Sequence, residues 1–171
     1  MKAVKIILAT ITLLILEFFL TGLFINETKY TSEILVEKPL EEVFAVFNDN
    51  TKIKNWIPEL KSLKPIITTP EIAGSTYEMV VDNQGQEITM TEKVLEYIPN
   101  KKVVIFFDAE NMLKTDSYIF SLEDKKTKIT MQSSCKSDSY LMSCLFPYFK
   151  GTFKEIDQGY LNNFKTFIEK I

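Results

Sequence analysis

The chain of 171 residues contains no histidine and no arginine; all 20 of its basic groups are lysines. Without histidine there is no Ser-His-Asp or Cys-His nucleophile pair, no imidazole acid or base, and no histidine-ligated zinc. Without arginine there is no planar fork for phosphate, carboxylate or guanine. The 23 acidic groups leave a net charge of −3, so no basic excess attracts nucleic acid. Two cysteines and no histidine are too few for a metal site, and no cofactor motif is present. What remains is apolar: 13 Phe, 7 Tyr and 6 Met exceed the needs of a minimal core.

The apolar residues open with a nearly unbroken run, Ile6 to Ile25, preceded by Lys2 and Lys5. Its length matches the hydrocarbon core of a bilayer. Its Leu, Ile and Phe residues contribute roughly −4 to −8 kcal/mol to insertion, against a ceiling of about 3 kcal/mol opposed by Glu17. A transmembrane anchor over 1–25 is therefore expected, with a cleaved signal sequence as the rival reading. A signal peptide would have a shorter apolar region and a small-x-small cleavage site. Leu20-Thr21-Gly22-Leu23 resembles a lipoprotein box whose cysteine is replaced by Leu23, which rules out lipidation there. The two N-terminal lysines predict a single-pass protein with its N-terminus inside and its C-terminal domain outside the cytoplasm.

Residues 26–32 read as a short tether, and residues 33–171 as one domain. A first strand is expected over Ser32–Lys38, around Ile34-Leu35-Val36. Pro39 opens a short helix with Glu41 and Glu42 in its first turn, and Val43, Phe44, Val46 and Phe47 form its buried stripe. A second short turn follows over Thr51–Trp56. Six strands come next, near Leu60–Thr69, Ser75–Asp82, Glu87–Ile98, Lys102–Ala109, Lys114–Leu122 and Lys128–Lys136. The turn residues between them are spaced as in an antiparallel meander. A long C-terminal helix carries Phe149, Phe153, Ile156, Tyr160, Phe164, Phe167 and Ile171 on one predicted stripe. Gly151 and Gly159 within it point to close packing or to deliberate room.

This order, carried by Lys38-Pro-Leu-Glu-Glu-Val-Phe-Ala-Val-Phe-Asn-Asp49, Asn55-Trp-Ile-Pro58 and Val94-Leu-Glu-Tyr-Ile-Pro-Asn-Lys-Lys102, resembles the START-like superfamily over residues 30–171. That group includes polyketide cyclases, Bet v 1-type allergens and lipid-transfer domains. The resemblance implies an α+β helix-grip: a curved antiparallel sheet around a long C-terminal helix, with a cavity between them. It also implies that Trp56 stands near the cavity mouth.

The candidate cavity lining is Trp56, Tyr77, Met79, Met90, Tyr118, Phe120, Met131, Phe149 and Phe153, a set suited to a lipid-like or aromatic ligand; the bland alternative is that these residues simply pack the core. Strand alternation turns Glu92 and Asp116 toward the same face, where a buried carboxylate would have a raised pKa. No catalytic residue is assigned. Cys135 and Cys144 form either a disulfide or two separate buried thiols. The apolar stretch Ser139–Tyr148 is a lid, a membrane-dipping surface, or a first buried helical turn.

The expected function is a membrane-tethered module that binds or carries a small hydrophobic molecule or lipid. The alternatives are a cyclase- or dehydratase-type enzyme on a hydrophobic substrate, and an envelope interaction protein without ligand. An open apolar cavity favours binding, neighbouring inward polar groups favour the enzyme, and a filled core favours the interaction protein.

Overall fold

The computed structural model of the chain describes residues 2–171. Helix α1 (Lys2–Phe24) is followed by strand β1 (Thr28–Val36), helix α2 (Leu40–Phe47) and a 3-10 turn at Ile53–Asn55. Six strands follow: β2 (Leu60–Ile67), β3 (Thr76–Asn83), β4 (Gln86–Ile98), β5 (Lys102–Ala109), β6 (Met112–Glu123) and β7 (Lys126–Lys136). Helix α3 (Tyr140–Leu145), a 3-10 turn at Phe146–Phe149 and helix α4 (Lys150–Ile168) complete the chain.

The seven strands form one antiparallel sheet in the order β1-β7-β6-β5-β4-β3-β2. Five neighbouring pairs are sequential hairpins, whose short connections are the turns expected from the sequence. Gln84 and Gly85 between β3 and β4 both have positive φ, as do Asp124 and Lys125 between β6 and β7, which is the twist a two-residue hairpin requires. Asp82 Oδ1 braces the first of these turns by accepting a 2.7 Å hydrogen bond from the Gly85 amide. β1 then closes the sheet beside β7, with Thr28 opposite Cys135 and Val36 opposite Thr127.

This pairing corrects the expected tether at 26–32. Thr28 to Ser32 lie in the sheet with alternating burial, because β7 supplies ladder partners along the whole of β1. Only Ile25–Glu27 separate α1 from the first strand.

α2 buries Val43, Phe44, Val46 and Phe47, the expected stripe. Phe47 is the hub of an aromatic cluster with Trp56, Tyr118, Phe120 and Phe164, at centroid distances of 4.8 to 5.3 Å. Each fully buried side chain of this size contributes about 1.5–3 kcal/mol.

The face that α4 buries keeps Phe164, with Phe153, Tyr160 and Phe167 half-buried against the core as expected, but is rotated away from Ile156. Asp157, Leu161, Phe164 and Ile168 are buried, whereas Ile156 is 47% exposed and Ile171 is 60% exposed. The 3-10 turn at Phe146–Phe149 advances three residues per turn, so Phe149 falls out of phase with the helix that follows. A side chain at Gly151 or Gly159 would meet no atom within 4 Å, so close packing does not explain either glycine.

Candidate functional site

The concave face of the sheet and α4 enclose a cavity of about 270 Å³. A second chamber of about 190 Å³ lies toward α2 and the Ile53–Asn55 turn. Trp56, Ile57, Met79, Phe107 and Tyr118 contribute to the walls of both. These side chains form the partition between the chambers.

Most of the expected lining residues come together here. Trp56, Met79, Met90, Tyr118, Met131 and Phe153 line the larger chamber, with Asp116. Tyr77 and Glu92 line the smaller one. Two expected residues lie elsewhere. Phe120 is buried between Phe44 and Phe47 and borders neither chamber. Phe149 is 47% exposed, for the phase reason given above. Trp56 is only 5% exposed, so it stands inside the partition rather than at an open mouth.

The larger chamber carries a polar cluster at one end. On β6 the alternation that turns Asp116 and Tyr118 inward also turns Lys114 inward. Lys114 Nζ donates to Asp116 Oδ2 at 2.6 Å and to Asp157 Oδ1 at 3.0 Å on α4. Tyr30 on β1 donates its hydroxyl to Asp157 Oδ2 at 2.7 Å, and Ser133 on β7 does so at 3.3 Å. Two carboxylates thus share one ammonium, and with Tyr30 and Ser133 the cluster draws on four elements of the fold. Burial alone would lower the Lys114 pKa, but Asp116 and Asp157 outweigh it and hold the ammonium charged. Asp116 is pushed upward, chiefly by burial and then by Asp157, against the pull of Lys114. Burial, reinforced by Asp157, also raises the Tyr30 phenol far above its ordinary value.

Asp116 Oδ1 and Trp56 Nε1 are buried without any hydrogen-bond partner. One is an acceptor and the other a donor, and both residues line the larger chamber. In the smaller chamber Glu92 is 6% exposed, and burial pushes its carboxyl up to about 7.

Cys135 and Cys144 are both buried free thiols. Cys135 borders the larger chamber within 3.7 Å of the Tyr30 hydroxyl, and burial pushes its thiol up to about 11. Cys144 packs instead against α1 at Gly22. The structure therefore has the separate-thiol arrangement and not the disulfide. Among the described residues, no group of three or more Cys, Asp and Glu side chains is placed to hold a metal ion.

Sequence reasoning missed Lys114, Asp157 and Tyr30. Lys114 was legible, since it lies two residues before an inward Asp116 on the same strand. Asp157 was hidden by the phase of α4. Tyr30 was hidden by the expected tether.

The Ser139–Tyr148 stretch holds α1 to the domain. Tyr140 OH donates to the Phe19 carbonyl at 2.5 Å, and Thr21 and Tyr148 hydroxyls lie 3.1 Å apart. Phe18 stacks on Tyr148 and Phe19 on Tyr140. α1 itself is long and apolar enough to cross a membrane.

The fold is shared widely. Ara h 8.0201 superposes with a TM-score of 0.67 at 11% identity, over 85% of this chain and 99% of that one. The Zhui aromatase/cyclase from Streptomyces sp. R1128 gives 0.61 at 10% identity, over 80% and 93%. The di-domain aromatase/cyclase StfQ of the steffimycin biosynthetic pathway gives 0.69 at 14% identity, over 84% of this chain and 51% of that one. No curated protein sequence matches the chain. The family model described as Activator of Hsp90 ATPase homolog 1-like protein matches residues 37–140, more than half of the chain. With the helix-grip architecture around that segment, the chain belongs to this family, within the START-like superfamily.

Proposed function

We propose that the domain binds a small hydrophobic molecule between its sheet and α4, held at a membrane surface by α1. The observation that carries this reading is the methionine- and aromatic-lined cavity of about 270 Å³, left open inside an otherwise packed domain. That volume is near the lower end for small-molecule pockets, roughly 300–1,000 Å³. A ligand longer than one chamber reaches the second if Met79 changes rotamer, and unbranched methionine does this at little cost. The structural neighbours contribute here only the shared fold.

The membrane part of the reading rests on α1 and its contacts. Tyr140, Leu141, Tyr148 and Phe149 are exposed beside the C-terminal end of α1. Amphipathic aromatic rings next to the end of an apolar helix suit the headgroup region. With Lys2 and Lys5 on the other side, the domain stands outside the cytoplasm.

The Lys114–Asp116–Asp157 cluster favours a second reading, an acid–base enzyme of the cyclase type. Lys114 and Asp157 are engaged with one another and with Tyr30 and Ser133, however, and only Asp116 Oδ1 is free, so a facing acid and base pair is not assembled. Binding without chemistry accounts for the cluster more simply.

The test uses Trp56, the chain's single tryptophan. Bromine quenches tryptophan only near contact, and Trp56 is buried in both chamber walls. Full-length protein in detergent micelles, titrated with ω-bromoalkyl compounds, is expected to lose Trp56 emission saturably. Unchanged emission with every such compound would overturn the reading.

A further inference from the structure

We propose that the larger chamber selects an apolar molecule carrying a hydroxyl group, which pairs with Asp116 Oδ1 and Trp56 Nε1. This deepens the hydrophobic-binding reading and rests on it.

Both atoms are buried and unpartnered, and both belong to residues lining the same chamber. A buried polar atom left unpaired costs about 1–3 kcal/mol, so an acceptor and a donor orphaned in one cavity call for a complementary group. Within the cluster only the Tyr118 hydroxyl, which faces Asp116, is uncommitted, and it does not bond Oδ1 here. Lys114 is committed to Asp116 Oδ2 and to Asp157, and Tyr30 and Ser133 donate to Asp157.

The candidate head groups separate by their hydrogen-bonding inventory. A carboxylate only accepts, and it would add a third anion beside Asp116 and Asp157 in a site of low polarity. An ammonium only donates, so it leaves the indole N–H of Trp56 unmet. A hydroxyl donates once and accepts twice, and it satisfies either protonation state of Asp116. Since burial pushes Asp116 upward, that tolerance suits the site. The groups facing Asp116 are Lys114 and Tyr118 on β6, Ser133 and Cys135 on β7, Tyr30 on β1 and Asp157 on α4. Lys114 is the single cation among them.

The experiment compares five compounds of equal chain length, each with bromine on carbon 3 close to the head group, on the full-length protein: a bromoalkane, the methyl ether, the alkanol, the alkylammonium and the alkanoate. Half-saturation of Trp56 quenching is measured against each compound's concentration in the micelle phase. The alkanol is expected to saturate about tenfold below the bromoalkane, equivalent to one net hydrogen bond. The ether, which accepts but does not donate, is expected to fall between them, and the alkanoate above all. Asp116→Leu leaves Lys114 paired with Asp157, and it should bring the alkanol level with the methyl ether, which accepts from Trp56 alone, while bromoalkane quenching persists. If that variant does not fold, the head-group series on the unaltered protein decides alone. Equal quenching by all five, or an ammonium or alkanoate that outcompetes the alkanol, would overturn the hydroxyl proposal and leave hydrophobic binding standing. Absence of quenching by all five would overturn both.

Discussion

Tyr30 and Asp157, 127 positions apart in sequence, are joined by a buried hydrogen bond of 2.7 Å. The bond ties the start of β1 to the inner face of α4 at the polar end of the larger chamber. It adds a side-chain tie to the β7 ladder that holds β1 as the closing strand. Asp157 accepts from Tyr30, Ser133 and Lys114 together, so its carboxylate is fully paired despite being 5% exposed. A carboxylate so placed is tolerable only because three elements converge on it.

Tyr30→Phe removes one donor to Asp157 and leaves the ring in its contact with Phe153. A hydrogen bond to a charged group contributes about 1.5–3 kcal/mol, and the loss is expected in that range. Chemical denaturation of the full-length protein measures it. A change below about 0.5 kcal/mol, the usual range for surface substitutions, would show that the bond does not hold the fold.

Glu92 makes stability depend on pH. Burial raises its folded-state pKa to about 7 from the ordinary 4.5. The folded state therefore keeps a proton that the unfolded state releases between roughly pH 4.5 and 7, so stability falls as pH rises through that window. Below the window both states are protonated and the penalty vanishes. At pH 8 the full loss is about 3 kcal/mol, at 1.36 kcal/mol per unit of pKa. Glu92→Gln should flatten this contribution and make the protein more stable at pH 8 than the parent. Equal slopes for parent and variant between pH 5 and 7 would refute the assignment.

Gly22 is the point where α1 meets α3. A Cβ there would overlap Cys144 Sγ and stand 3.2 Å from the Cys144 amide nitrogen. Gly22→Ala is expected to push the two helices apart and expose Cys144, which is fully buried in the parent. Alkylation followed by peptide mass spectrometry reports it: Cys144 labels faster in the variant, while Cys135 stays slow behind its raised thiol pKa of about 11. No change at Cys144 would mean that α1 does not dock as described.

The strands were legible because period-two alternation and turn residues mark them locally, and β2 to β7 fall where Leu60, Thr76, Lys102 and Lys136 bound them. The chamber methionines were legible for the same reason, since Met79, Met90 and Met131 sit at inward positions of strands. What failed depended on geometry outside the segment being read. Whether Asp157 faces inward is decided by how α4 is rotated against the sheet, which leaves no pattern in its own sequence, and Phe149 lies in the 3-10 turn before that helix. Thr28–Ser32 alternate polar and apolar too weakly to announce a strand; β7, a hundred residues later, supplies the pairing. The cluster as a whole is a tertiary fact: Lys114 is legible as inward from its spacing to Asp116, but Asp157 and Tyr30 each look like an ordinary surface residue until the sheet closes on α4.

Met131 separates an open cavity from a filled core. It is 3% exposed on β7 and lines the larger chamber. Met131→Phe adds volume at that wall. Where neighbouring atoms already fill the space, such a change forces side chains off their rotamers and costs about 1–3 kcal/mol. Where the chamber is open, the ring enters it at little cost and excludes ligand. Bromoalkane quenching of Trp56 is therefore expected to weaken about tenfold, the loss of one or two buried methylene contacts at about 0.8 kcal/mol each. The denaturation midpoint should stay within error of the parent's. Loss of stability by 1 kcal/mol or more, with quenching unchanged, would show that the space is already filled and that the hydrophobic-binding reading is wrong.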